Sequence, residues 1–344
     1  MTRRTSQLAG VLVAVALVGT VAAWVVFPGV TAGRIASYLG SALRLTVPIA
    51  FAALGGIFAE KSGVINIGLE GLLIIAAFAG VAVSHAMGGG SQVAAWTGFF
   101  AAIGASTLFA LLFAVITIRY EADQIIAGLA VWLVALGIAP FGSKIIWGER
   151  SSPSVATLDN WTIPVLSKIP VIGPAIFDSN PTVYMLLIAA PVAWFVMNRT
   201  RFGRWVRASG ENPKALDTAG VDVSRVRYAG VTLSGVLCGI GGAGLSLGQV
   251  GQFVGSGTTM VNGRGWIGIT AYLFGNYNPL GAFGASFLFA SLDALQFRLQ
   301  QIGAGLPPEL VQMVPYATVI VVLALVGHTR IPDAAGDHYE SGEE

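Results

Sequence analysis

Val93-Ala-Ala-Trp-Thr-Gly-Phe-Phe-Ala-Ala-Ile-Gly-Ala-Ser-Thr-Leu-Phe-Ala-Leu-Leu-Phe-Ala-Val-Ile-Thr-Ile118 contains no charged side chain. As a helix it is long enough to cross the hydrocarbon of a bilayer, which takes about 20 apolar residues. Runs of the same kind recur along the chain. Read in order they fall at 8–28, 35–58, 64–84, 93–118, 124–143, 182–197, 228–250, 265–275, 279–297 and 310–327. They predict an all-α fold, a polytopic membrane helix bundle of about ten transmembrane spans. The run 265–275 is short, and reads either as a span or as a half-helix that dips into the membrane and returns.

The composition agrees. Of 344 residues, 55% are hydrophobic and 10% charged, against about 25% charged in a soluble domain. Mean hydropathy is +0.75. So few charges cannot give a globule of this size a solvated surface. The opening run 8–28 follows Thr2-Arg3-Arg4 and resembles a signal peptide, but it exceeds the usual apolar length of one and is read as the first span. The 45 glycines suit close helix packing. Gly235/Gly239 and Gly244/Gly248 stand four apart on one run. The G-x-G-x-x-G string at 239–244 lacks the preceding strand that a dinucleotide site requires.

The segment 198–227 sets the orientation. Arg199, Arg201, Arg204, Arg207, Lys214, Arg225 and Arg227 are seven of the chain's 19 basic residues, which places this loop in the cytoplasm. Counting spans from it puts both termini, including the acidic tail, on the cytoplasmic side and the Pro-rich loop 144–180, with Trp147 and Trp161, outside. The organisation expected is therefore an N-terminal helix and entry loop (1–34), a membrane core (35–327) carrying the loop 198–227, and an acidic tail (328–344). Spans 2–5 and 7–10 read as an inverted repeat. Each half carries a Gly-rich interruption near its start, at Gly55-Gly56 through Gly63 and at Gly255 through Gly268, a pattern that marks the pathway in many carriers.

Within the loop, Asn212 followed by Pro213 is a favoured helix start and Gly220 a favoured stop, predicting a short helix over about 213–219. Such a capped helix suits docking of a cytoplasmic partner; a plain basic juxtamembrane loop is the alternative. In the membrane, Glu70 is expensive unless it faces a cavity or the bundle interior. Asn66 precedes it by one helical turn. Two readings stand: the pair supplies hydrogen bonds to a solute, or it locks span 3 to a neighbour. Gln249, Gln252 and Phe253, followed by Asn262 and Trp266, read as lining candidates, an aromatic–amide mixture suited to a flat polar ligand. Asp293 with Gln296 is a weaker intramembrane case, and Arg44 reads as snorkelling or paired internally. Glu60 and Lys61 are expected to be solvated loop charges. The lone Cys238 permits no disulfide within the chain, and His85, His328 and His338 are scattered, so no metal site is expected. No catalytic residues are expected either.

Three blocks carry a resemblance. Gly210-Glu-Asn-Pro-Lys-Ala-Leu-Asp-Thr-Ala-Gly220, with Val223-Ser-Arg-Val-Arg227 and Leu233-Ser-Gly-Val-Leu-Cys-Gly-Ile-Gly-Gly-Ala-Gly244, resembles ABC-importer permeases of the branched-chain amino acid/ribose type. Leu54-Gly-Gly-Ile-Phe-Ala-Glu-Lys-Ser-Gly-Val-Ile-Asn-Ile-Gly-Leu-Glu-Gly71 looks like the nucleoside (simple sugar) permease subgroup, which works with a lipid-anchored nucleoside-binding protein. Gly265-Trp-Ile-Gly-Ile-Thr-Ala-Tyr-Leu-Phe-Gly-Asn-Tyr-Asn-Pro-Leu-Gly281 continues it. The resemblance covers about 35–327; the first helix and the tail depart from it. It implies a nucleoside importer permease in a bacterial cytoplasmic membrane, paired with a second, homologous permease, a cytoplasmic ABC ATPase and an extracytoplasmic substrate-binding lipoprotein. Glu211, Asn212, Pro213, Lys214, Ala215 and Gly220 would then form the ATPase contact. The chain has no G-x-x-x-x-G-K-[ST] loop of its own, so ATP and Mg would belong to the partner, and this chain would need no cofactor and no nucleic acid. The same machinery moving sugars or branched-chain amino acids is one alternative. An ion-coupled carrier with Glu70 or Asp293 as its ion site is another.

Overall fold

The computed structural model describes residues 32–257, 259–302 and 330–339. The expected spans 8–28 and 310–327 lie outside the described residues. Within them, seven helices are long and apolar enough to cross a membrane, at Gly33–Lys61, Leu69–Ala86, Gln92–Arg119, Gln124–Trp147, Pro181–Arg199, Val223–Val250 and Pro279–Arg298.

The helices in chain order are α1 (Ala32–Lys61), α2 (Leu69–Ala86), α3 (Gln92–Ala114), α4 (Gln124–Trp147), the one-turn α5 (Ile172–Ile176), α6 (Pro181–Arg199), α7 (Arg201–Glu211), α8 (Pro213–Thr218), α9 (Val223–Leu245), α10 (Arg264–Phe274) and α11 (Pro279–Ile302). π-helical turns extend α3 over Val115–Arg119 and α9 over Ser246–Val250. Two-residue strands β1 (Trp161–Thr162) and β2 (Asp178–Ser179) pair antiparallel in the loop between α4 and α6.

α1 and α9 form the core. α9 packs on α1, α2 and α3, while α1 also receives α10 and α11. α1 is buried along most of its length, whereas α3 and α4 bury only a minority of theirs. Their outward residues, such as Phe100, Leu108, Leu112, Leu133 and Phe141, are exposed. Apolar surface of that extent suits lipid rather than water.

Glycine makes the central contacts. A methyl group at Gly239 would stand 2.6 Å from Ile103 Cα on α3, and one at Gly235 would stand 2.9 Å from Thr107 Cα. At Gly244 it would meet Val47 on α1 at 2.7 Å. The four-residue spacing seen in the sequence is therefore a seam of close helix approach. The loop between α4 and α6 is stapled to the end of α9: Ser152 N donates to Phe253 O at 2.9 Å, Val155 N to Gly251 O at 2.7 Å and Leu158 N to Leu247 O at 2.9 Å.

The run 265–275 corresponds to α10, whose 11 residues span about 16 Å at 1.5 Å per residue, about half the hydrocarbon thickness. α10 is a half-length helix supported on α1, α2 and α11.

Candidate functional site

Glu70 lies in the first turn of α2 and is 3% exposed. Its Oε1 accepts from Gly263 N at 2.8 Å and its Oε2 from Gly265 N at 2.6 Å. These N–H groups open α10, where no intrahelical partner exists. The carboxylate of one helix thus caps the N-terminus of another, where the helix dipole favours negative charge. Gly265 makes this approach possible, since a Cβ there would lie 2.5 Å from the Glu70 backbone. Asn66 does related work: its Nδ2 donates to Ser234 Oγ on α9 at 3.0 Å and its Oδ1 accepts from Gly68 N at 3.0 Å. Glu70 thus joins α2 to α10, and Asn66, in the non-helical stretch just before α2, joins that stretch to α9.

The other expected lining residues are dispersed. Phe253 is fully buried, edge-on to Phe78 at 5.4 Å. Trp266 is half-buried, with its ring 5.6 Å from Trp132. Asn262 is exposed in a left-handed turn, φ 46°. Gln249 lies elsewhere, in the π turn that ends α9, with Nε2 donating to Arg44 O at 2.8 Å. It borders a cleft of about 770 Å³, shared with Ser41, Arg44, Asn180, Phe297 and Arg298. The six candidates therefore do not form one site. The cleft residues Arg44, Asn180 and Arg298 were not singled out together, because they come from three segments far apart in the chain. Asp293 and Gln296 are half-buried on α11.

The expectation for Glu60 and Lys61 is corrected. Glu60 is 7% exposed in the last turn of α1, beside the phenols of Tyr277 and Tyr272. Lys61 Nζ pairs with Glu211 Oε1 at 3.4 Å and sits 4.8 Å from the centre of the Tyr277 ring. Burial, and then the Glu60 carboxylate, push the Tyr277 phenol upward. These charges meet partners more than a hundred residues away, which local composition does not reveal.

At the basic loop the expected short helix is present as α8. Asn212 Oδ1 accepts from Ala215 N at 3.0 Å, with Pro213 in the first position. At the other end Gly220 has φ 79°. Gly220 N donates to Asp217 O at 2.8 Å and Val221 N to Leu216 O at 3.3 Å, the bond pattern of a Schellman stop. Leu216 is buried; Asn212, Lys214, Ala215 and Gly220 are exposed. Glu211 instead turns inward to Lys61. The preceding helix α7 was not anticipated. Thr200 caps it, accepting from Gly203 N at 3.1 Å. Its buried Gly203, Val206 and Gly210 recur at helical spacing among the arginines, a signal that the charge density obscured.

A half-length helix capped inside an apolar bundle, glycine seams and seven helices long and apolar enough to cross a membrane together define a multi-pass membrane helix bundle. The sequence matches the family described as branched-chain amino acid transport system / permease component over residues 38–323, and the chain belongs to it. It is 37% identical over 305 residues to a nucleoside ABC transporter permease protein of Lactococcus lactis, covering 86% of this chain and 94% of that one. It is 36% identical over 307 residues to a guanosine ABC transporter permease protein of Bacillus subtilis, covering 88% and 95%. A putative glucose ABC transporter permease protein of Haloferax volcanii is 31% identical over 312 residues, covering 84% and 91%.

Proposed function

We propose that this chain is the membrane-spanning subunit of an ATP-driven nucleoside importer. The observation that carries the reading is its similarity, over nearly their full length, to nucleoside and guanosine permeases. The block 54–71, which positions Lys61, Asn66 and Glu70, is the part that resembles the nucleoside subgroup. The solute crosses chemically unchanged, so the chain is a transport subunit rather than an enzyme.

In this reading the described spans, α10 and the runs 8–28 and 310–327 make a bundle of about ten crossings with an inverted repeat. Two features support the repeat. Each half contains a long helix, a break that is non-helical over its described residues (62–68; 251–257 and 259–263) and then a shorter helix, and the two shorter helices meet at Glu70 and Gly265. Both termini lie in the bacterial cytoplasm. Residues 35–327 form the core, 1–34 an added helix and 328–344 an acidic tail. The exposed face of α8 docks on a cytoplasmic ABC ATPase, which holds ATP and Mg. A second homologous permease completes the pathway, and an extracytoplasmic lipoprotein delivers the solute. The Gln249 cleft is the mouth through which it enters, with Trp266 and Asn262 bordering a later stage.

The relative that carries the name of a glucose permease supports a second reading, the same machinery moving a sugar. Uptake into vesicles holding the complete complex separates these readings. Labelled guanosine is expected to accumulate only with internal ATP, and excess glucose is expected not to compete. Guanosine uptake by this chain alone under an ion gradient without ATP contradicts the proposal.

A further inference from the structure

We infer that residues 330–339 form a strap that clamps the loop carrying α8 to the transmembrane body, so that movement imposed on α8 passes directly into α1 and α9. The inference rests on the reading of α8 as the ATPase-docking helix.

The contacts of this segment reach five places. Arg330 N donates to Asn276 Oδ1 at 3.1 Å, between α10 and α11. Ala334 N donates to Gly210 O at 2.8 Å, near the end of α7. Gly336 N donates to Gly63 O at 3.1 Å, in the turn between α1 and α2. Asp337 O accepts from Arg227 Nη1 at 2.7 Å, in the first turns of α9. Tyr339 OH donates to Asp217 Oδ2 on α8 at 2.9 Å. Pro332 and Ala334 are buried beneath these bonds.

α8 needs such an anchor. It is six residues long and buries a single side chain, Leu216. A helix that short has little stability of its own in water and would swivel under load. Among the described residues, its neighbour Glu211 supplies one ion pair to the body, with Lys61. The strap adds a bond to α8 itself and a bond to the carbonyl that ends α7. It ties both to the turn between α1 and α2 and to the start of α9. Gly210 sits so close to Lys61 O and Gly63 N, at 2.5 and 3.2 Å from a would-be Cβ, that the loop is already pressed on the body where the strap crosses. Coupling between sites travels through elements that move as one piece, and the strap makes the loop and the α1–α2 turn such a piece.

The test uses the complete complex in vesicles, with three readouts: co-purification of the ATPase, ATP hydrolysis, and guanosine taken up per ATP hydrolysed. Two variants remove the strap, one ending at residue 329 and one with Gly336→Val. The latter places a side chain at φ 92° and against Ile65. Both are expected to keep the ATPase bound and hydrolysing while uptake per ATP falls about fivefold or more. Unchanged uptake per ATP would overturn the inference, as would loss of the ATPase from the complex. A third variant carries cysteines at 217 and 339 with Cys238→Ser, bridged by a short bis-maleimide. It is expected to transport at full rate; arrest by the bridge would show a strap that must detach, which also overturns it. The docking reading fails separately, if Lys214→Trp with Ala215→Trp leaves ATPase binding intact.

Discussion

At the residue scale, Glu70 decides how α2 and α10 are related. A buried carboxylate is stable when its charge is met by several donors, and two backbone N–H groups at a helix N-terminus meet it here. Glu70→Gln keeps the shape but turns an amide N–H₂ toward one of those donors. The cost expected for one unsatisfied buried pair is about 1–3 kcal/mol, read as a lower unfolding midpoint of the purified protein in detergent. Gly265→Ala is expected to lower it as well, because a methyl group would overlap the Glu70 backbone. If Glu70→Gln left the midpoint unchanged but altered which solutes are carried, Glu70 would touch the solute instead. The sequence carried this much: an acid at that depth must be internal, with a partner. It could not carry the partner itself, because the donors are backbone groups 193 and 195 residues away, and a backbone N–H has no side-chain signature of its own. Glu60 and Lys61 show the same limit from the other side. They read as solvated because they stand at the end of an apolar run, and Tyr277 and Glu211 come to them only through tertiary packing.

At the scale of the element, α8 was legible because capping is a local code. Asn212, Pro213 and Gly220 act on groups within a few residues of themselves, and each does so in the structure. Asn212→Ala is expected to cost about 1 kcal/mol of local stability, seen as faster amide hydrogen exchange over 213–219 with the spans unchanged. Gly220→Ala is expected to do the same, since a side chain in the left-handed region costs about 1–2 kcal/mol. Substitutions on the two faces of the loop should separate. Bulky residues at Lys214 and Ala215, which are exposed, are expected to abolish ATPase association. Glu211→Gln, which removes the partner of Lys61, is expected to leave association intact and loosen the loop, measured as increased exchange over 201–220. Loss of the ATPase with Glu211→Gln would place that carboxylate in the interface after all. α7 went unread because its apolar positions are small, Gly203 and Gly210 among them, and small residues give weak periodicity.

At the scale of the whole molecule, apolar run length was the reliable signal. A helix in lipid must satisfy its backbone internally, so composition alone dictates the spans. The eight expected runs that fall on described residues all correspond to helices, seven of them long enough to cross. Which helices are central did not follow from hydropathy. α9 has lower hydropathy than α3 yet is more buried, because its glycines admit neighbours where α3 presents large side chains to lipid. The strap was also beyond reach, since four of its five bonds are donated or accepted by its own backbone and leave no side-chain signature.

The central claim, that this chain passes nucleosides at the expense of ATP hydrolysed on a partner, is tested most directly by ATP hydrolysis in the reconstituted complex of permease pair, ATPase and binding protein. The account predicts that guanosine raises the hydrolysis rate and that glucose and leucine do not. A rate indifferent to guanosine but raised by glucose or leucine would contradict it.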